Sequence, residues 1–260
     1  MAKKTPPKPP HNQPSQIKRR RSLLHRPHKA ESAFRASLRQ VAKQVGALVK
    51  AWAPEGGATN TDPLIDALKK YAEILAPWSE QVARRMISDV NARSGRAWRE
   101  LSSEVGFQLG TEIVSAPTGA RMQELMAEQV SLITSLPLQA AQRVHDLTMT
   151  SIVDGTRAAT IAKEILATST VTESRATLIA RTEVARTTSV LTQARAEYAG
   201  SEGYIWRTSG DRDVRDSHAE MEGKYVRWSN PPLLSDGTRT HAGQIYNCRC
   251  WSDPVFEEND

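Results

Sequence analysis

The chain has 260 residues, 39% of them hydrophobic, and a mean hydropathy of -0.50, enough for one large or about two ordinary domains with a real core. No run approaches the roughly twenty consecutive apolar residues that cross a bilayer, and the N-terminus offers lysine, proline and histidine where a signal peptide has an apolar core, so neither membrane residence nor secretion is expected. The net charge of +6 is unevenly spread: nine of the 35 basic residues lie in residues 1–30, which hold no acid, so the rest of the chain carries 26 basic against 29 acidic side chains.

Those nine are Lys3, Lys4, Lys8, Lys18, Arg19, Arg20, Arg21, Arg26 and Lys29, set among Pro6, Pro7, Pro9, Pro10, Pro14 and Pro27. Proline fixes φ and removes a backbone donor, so residues 1–30 are expected to be a disordered, extended basic arm. A flexible polycation suits salt-sensitive contact with DNA phosphates without sequence choice; the plainer reading is a solubilising extension.

Residues 31–170 are expected to form a helical body. Phe34, Leu38, Val41, Val45, Leu48 and Trp52 step by threes and fours, as one face of a helix does. Glycines and an asparagine in Ala53–Asp62 break the pattern, and Pro63 suits a first helical position. Leu64, Leu68, Tyr71 and Leu75 form the next stripe, expected to end at Pro77. Val82, Met86, Val90, Ala97 and Leu101 form a third, ending near Gly106. After Pro117 come Met122, Leu125, Met126, Ile133 and Leu136, then Val144, Leu147 and Ile152 before Gly155. Such stripes pack on one another as a bundle. His145 stands alone on its helix and is read as structural.

Residues 171–260 change character. A helix is expected over Thr172–Tyr198, with Glu183 close to Arg186. "YIWRT" and "KYVRW" have the aromatic and β-branched content of short strands, and "DVRDSHAEMEG" reads as a helical turn ending at Gly223. The fold class is therefore mainly α with a small C-terminal α+β module. So small a β element has little core of its own and must lean on the preceding helix or be stapled.

The chemistry concentrates in that module. Trp206, Asp211, Asp213, Arg215, His218, Gly223, His241, Gly243, Asn247, Cys248, Arg249 and Cys250 form a spaced set that holds both cysteines of the chain. Cysteines separated by one residue do not make an unstrained disulfide framework, which points to a reducing compartment. His218, His241, Cys248 and Cys250 could supply a tetrahedral zinc set, with Asp211 or Asp213 replacing one histidine. The competing reading is a hydrogen-bonded cluster in which the cysteines are small buried hydrophobes. His218-Ala219-Glu220 followed by Cys248-Arg249-Cys250 also imitates the order of ligands and glutamate in zinc deaminases, but with one residue too few between the cysteines and Asn247 in place of proline. Side chains two apart on a strand point to opposite faces unless the backbone turns. No nucleophile elbow, P-loop or dinucleotide fingerprint occurs.

"IARTEVARTTSVLTQARAEYAG", "GYIWRTSGDRDVRDSHAEMEG" and "HAGQIYNCRC", in that order, resemble the C-terminal module of the phage Mu F-like minor head proteins, also called head morphogenesis proteins. The resemblance covers roughly Thr172–Trp251; the family usually has proline where Ala242 stands. It implies a non-enzymatic minor capsid component of a tailed phage or prophage, present in the host cytoplasm during assembly and then in the virion head. It further implies association with the portal protein, with scaffold or major capsid protein as further partners, and contact with packaged DNA. The alternative is a zinc-dependent, deaminase-like hydrolase using His218, Glu220, Cys248 and Cys250.

Overall fold

The computed structural model describes residues 14–52, 60–105, 118–154 and 158–256. Five helices come first: α1 (Pro14–Leu24), α2 (His28–Trp52), α3 (Asp62–Val105), α4 (Thr118–Asp154) and α5 (Ala158–Tyr198). Then follow β1 (Gly203–Arg207), the one-turn α6 (Asp216–Ala219), β2 (Tyr225–Arg227) and β3 (Trp251–Val255). The mainly α class with a small C-terminal α+β element holds.

The break expected at Pro77 is absent. Helix α3 runs through Pro77 and α4 through Pro137. A proline inside a helix forfeits one backbone bond and crowds the preceding turn. In α3 the buried stripe nevertheless continues across it, from Leu75 to Ser79, Ala83, Met86 and Val90. Burial on both sides of Pro77 outweighs the lost bond.

The N-terminal expectation needs a correction. Residues 1–13, with Lys3, Lys4 and Lys8, lie outside the described residues. From Pro14 the chain is helical rather than extended, and Arg20 is buried. Pro14 opens the helix, where the missing amide hydrogen costs nothing. Lys18, Arg19, Arg21 and Lys29 are exposed and Arg26 is half-buried.

The described residues divide into two compact units whose boundaries fall inside α2, α3, α4 and α5. One is drawn from Glu31–Met86 and Met126–Arg181. Its core joins Val45 and Val49 of α2, Leu64, Ile65 and Leu68 of α3, Ala140, Ala141 and Val144 of α4, and Ile165 of α5. Gly46 permits a close approach: a Cβ there would lie 2.5 Å from Ser169 Oγ.

The other unit is drawn from Met1–Ala30, Ile87–Leu125 and Thr182–Asp260. Its sheet has the order β2-β1-β3, antiparallel throughout. Strand β3, "WSDPV", is absent from the sequence reading because Asp253 and Pro254 look like turn residues. It pairs along the whole of β1, from Gly203↔Val255 to Arg207↔Trp251. All five residues of each strand are buried. The main core of this unit gathers Trp98, Ala196, Tyr204, Trp206, Val226, Trp228, Leu234, Ala242, Cys248 and Cys250. Arg195 of α5 is buried within it, donating to Ser94 Oγ (2.9 Å) and Asn91 Oδ1 (2.6 Å) of α3.

Candidate functional site

Strand β1, the turn α6 and the return loop before β3 bring the chemistry together. Gly223 (φ 77°) lets the chain turn back after α6, its amide donating to the Trp206 carbonyl at 2.9 Å. That fixes His218 against Trp206, their rings edge to face with centroids 5.5 Å apart. Asn247, the one non-glycine residue with positive φ among the described residues (53°), makes the backbone turn that Cys-x-Cys needs. Both sulfurs then face the same imidazole: Nδ1 of His218 lies 3.3 Å from Cys250 Sγ and 3.5 Å from Cys248 Sγ. The Cys250 amide donates back to Cys248 Sγ at 3.4 Å. All three side chains are buried.

The two thiols are electrostatically unequal. The hydrogen bond from Cys250 holds the Cys248 thiol well below its ordinary range, with His218 adding to the effect against the cost of burial. The same bond, with burial, drives Cys250 upward. The two thiols are thus pushed in opposite directions by the contact between them.

The expected set separates into parts. His241 is not with His218. Its Nδ1 lies 3.2 Å from Tyr204 Oη, and burial lowers its pKa. The expected fourth ligand is thus committed elsewhere, because the Ala242 amide donates to the same Tyr204 hydroxyl (3.1 Å) and pins the turn. A proline at 242 could not make that bond, so Ala242 holds the turn by a different device. Asp211 and Asp213 are not ligand candidates either. Both reach Arg249 Nη2, at 2.8 and 3.1 Å, on the outward side of the residue between the cysteines. Arg215 donates to the Tyr246 carbonyl at 3.1 Å and lies over the Tyr246 ring, 4.7 Å from its centroid. Gly243 (φ 80°) sits where a Cβ would come 3.1 Å from the Cys250 carbonyl oxygen and 3.3 Å from Ser189 Cβ. Glu220, the glutamate of the deaminase-like order, is exposed at the end of α6 and outside the His/Cys group.

Several contributing residues escape the sequence reading. Thr182 Oγ1 accepts from the Asn247 amide at 2.9 Å, Ser189 Oγ donates to the Ala242 carbonyl at 2.7 Å, and Gln193 pairs with Gln244 at 3.3 Å. Spacings of seven and four put these three polar residues on one face of α5, and that periodicity was the available signal. Glu183 pairs with Arg186 at 3.7 Å, as its spacing implies. Asp253 is the other omission: it is almost wholly buried and held by Arg20 (Nε to Oδ1, 2.5 Å) and Arg207 (Nε to Oδ2, 3.5 Å).

Residues 142–252 match the family described as Phage Mu protein F like protein. An uncharacterized protein of Haemophilus influenzae is 31% identical over 206 residues, which cover 78% of this chain and 45% of that protein, so the chain spans under half the length of this relative. No solved structure matches. The matched segment contains α5, β1, α6, β2 and the His218, Cys248 and Cys250 cluster, and it extends upstream into α4, beyond the Thr172 start that the motifs suggest. The part of the chain that carries the His218, Cys248 and Cys250 cluster is thus similar to the Phage Mu protein F like family.

Proposed function

We propose that this protein is a minor head protein of a tailed phage or prophage, built into the procapsid with the portal and acting without catalysis. The observation that carries this reading is the match of residues 142–252 to the Mu F-like family, a family of phage head morphogenesis. The architecture supports it: the polar groups of the module are spent on fixing loops to α5 and to one another, as in the Thr182, Ser189 and Tyr204 bonds. No helix among the described residues is long and apolar enough to cross a membrane. Procapsids assembled with and without the portal protein test the reading. Incorporation should require the portal, and equal incorporation in portal-free shells would refute the association.

Contact with packaged DNA belongs to the same proposal. Lys18, Arg21, Arg26, Arg93 and Arg249, with His25 and His28, line a groove of about 510 Å³ whose one acidic residue is Asp211. Such a cationic surface suits phosphate, with affinity that falls steeply with salt. Changing Lys18 and Arg21 to Gln should weaken DNA binding and flatten its salt dependence; an unchanged slope would remove this groove from the account.

A zinc-dependent hydrolase is the second reading, favoured by the convergence of His218, Cys248 and Cys250. Its proton shuttle would be Glu220, which is exposed and outside the group. Metal-dependent turnover of cytidine, adenosine or single-stranded DNA, abolished by Glu220→Gln, would establish the hydrolase and overturn the structural proposal.

A further inference from the structure

We propose that His218, Cys248 and Cys250 bind one divalent metal ion of the zinc class, through Nδ1 and the two sulfurs. A tetrahedral zinc ion with Zn–N of about 2.0–2.1 Å and Zn–S of about 2.3 Å separates nitrogen from sulfur by roughly 3.5 Å. The two nitrogen to sulfur distances here are 3.3 and 3.5 Å, and all three ligand atoms lie within 4.8 Å of one another. The two nitrogen–sulfur edges of the coordination polyhedron are thus already present.

The donor set selects the metal. Two thiolates and an imidazole favour zinc and its tetrahedral substitutes, whereas calcium and magnesium require oxygen ligands. The support around the donors is rigid. His218 stands against Trp206, Asn247 takes the left-handed turn that aims both sulfurs inward, and the Cys250 amide donates to Cys248 Sγ. Asp211 and Asp213 are engaged by Arg249, and His241 by Tyr204, so three ligands define the site. The fourth corner falls to water, and a cavity of about 10 Å³ bordered by Cys248, Cys250, Ser189 and Thr192 is on the scale of one water molecule. A metal there would staple the return loop to α6, the kind of cross-link that a three-stranded element with so little core gains from most.

The test uses the full chain, purified under reducing conditions and stripped of metal, titrated with Co²⁺ and then with Zn²⁺. The expected result is saturation at about one ion per chain, with a thiolate-to-cobalt charge-transfer band and tetrahedral d–d bands that Zn²⁺ displaces. His218→Gln and Cys250→Ser should each weaken binding by more than the roughly 10–100-fold that loss of a supporting residue costs, and the Cys250→Ser spectrum should lose intensity in the thiolate band. His241→Gln should keep both stoichiometry and spectrum. Wild-type protein that takes up no Co²⁺, or takes it up without the thiolate band, overturns the site without recourse to any variant. So does a His241→Gln chain that loses metal as completely as His218→Gln.

Discussion

Replacing Arg20 by Met asks whether the basic N-terminal segment is an arm or part of the fold. Arg20 and Asp253 side chains are 1% and 2% exposed, joined Nε to Oδ1 at 2.5 Å, and Arg20 Nη2 also donates to the Pro254 carbonyl at 3.1 Å. Removing one partner of a buried ion pair typically costs about 3–5 kcal/mol, because the other charge stays buried without compensation. Arg207 still reaches Asp253 Oδ2 at 3.5 Å, which places the cost near the lower end, about 3 kcal/mol. For a chain of this size each kcal/mol lowers the melting temperature by about 2–4 °C, so a loss of about 6–12 °C is expected. The measurement is thermal and urea unfolding of wild type, Arg20→Met, Asp253→Asn and the double variant, followed by tryptophan fluorescence. The double variant should lose much less than the sum of the single losses. Should Arg20→Met melt within about 1 °C of wild type and combine additively with Asp253→Asn, α1 does not dock through this pair and the arm inferred from composition is restored.

Other consequences can be checked alongside. Tyr204→Phe leaves the buried Ala242 amide and His241 Nδ1 without their shared partner, and should cost about 1–3 kcal/mol in urea unfolding; no loss would mean that water replaces the hydroxyl. Gly243→Ala forces a side chain into positive φ against the Cys250 carbonyl, a strain of about 1–2 kcal/mol, visible as faster proteolysis after Gly200; unchanged proteolysis would show that the turn can relax. His25, held down to about 4 from 6.5 by burial and then by Arg26, Arg21 and His28, against a raising hydrogen bond to the Arg249 backbone, gives a pH dependence with a definite sign. The unfolded chain binds the proton more tightly, so the stability due to neutral His25 is complete above about pH 6.5 and is lost as pH falls toward 4. The total is about 3 kcal/mol. His25→Gln should flatten urea midpoints across that window, and parallel curves for variant and wild type would refute the assignment.

What the sequence made legible follows from which signals are local. Apolar steps of three and four marked α2 and the buried faces of α3 and α4, because a helix writes its packing into its own periodicity. Pro77 misled because a one-residue rule was set against a stripe many turns long, and the stripe prevailed. Strand β3 was invisible for the opposite reason. Nothing within "WSDPV" says that Asp253 meets Arg20, a partner 233 residues away. The cluster divides in the same way: Cys-x-Cys and His218 announced themselves by residue type, while the diversion of His241 depended on the Tyr204 hydroxyl, which no spacing reveals.

The geometry of α1 and β3 explains how one basic segment can serve both folding and binding. Arg20 and Leu24 are four apart and so share a face of α1; Trp251 and Asp253 are two apart and share a face of β3. The two faces meet as matched pairs, Leu24 with Trp251 in an apolar cluster with Leu101, and Arg20 with Asp253 as an ion pair. Strand β3 lies at the edge of the sheet, where Pro254 is tolerated because an edge residue need not donate outward. An edge covered by a helix is also protected from pairing with another chain. Docking uses one cation and leaves Lys18, Arg19 and Arg21 exposed, so the helix presents its remaining charge from a fixed position. Deleting residues 1–30 would therefore remove charge and uncover β3 together, whereas neutralising Lys18 and Arg21 removes charge alone. Weaker DNA binding from the deletion says nothing about the cations unless the neutralised chain, still folded, shows it too.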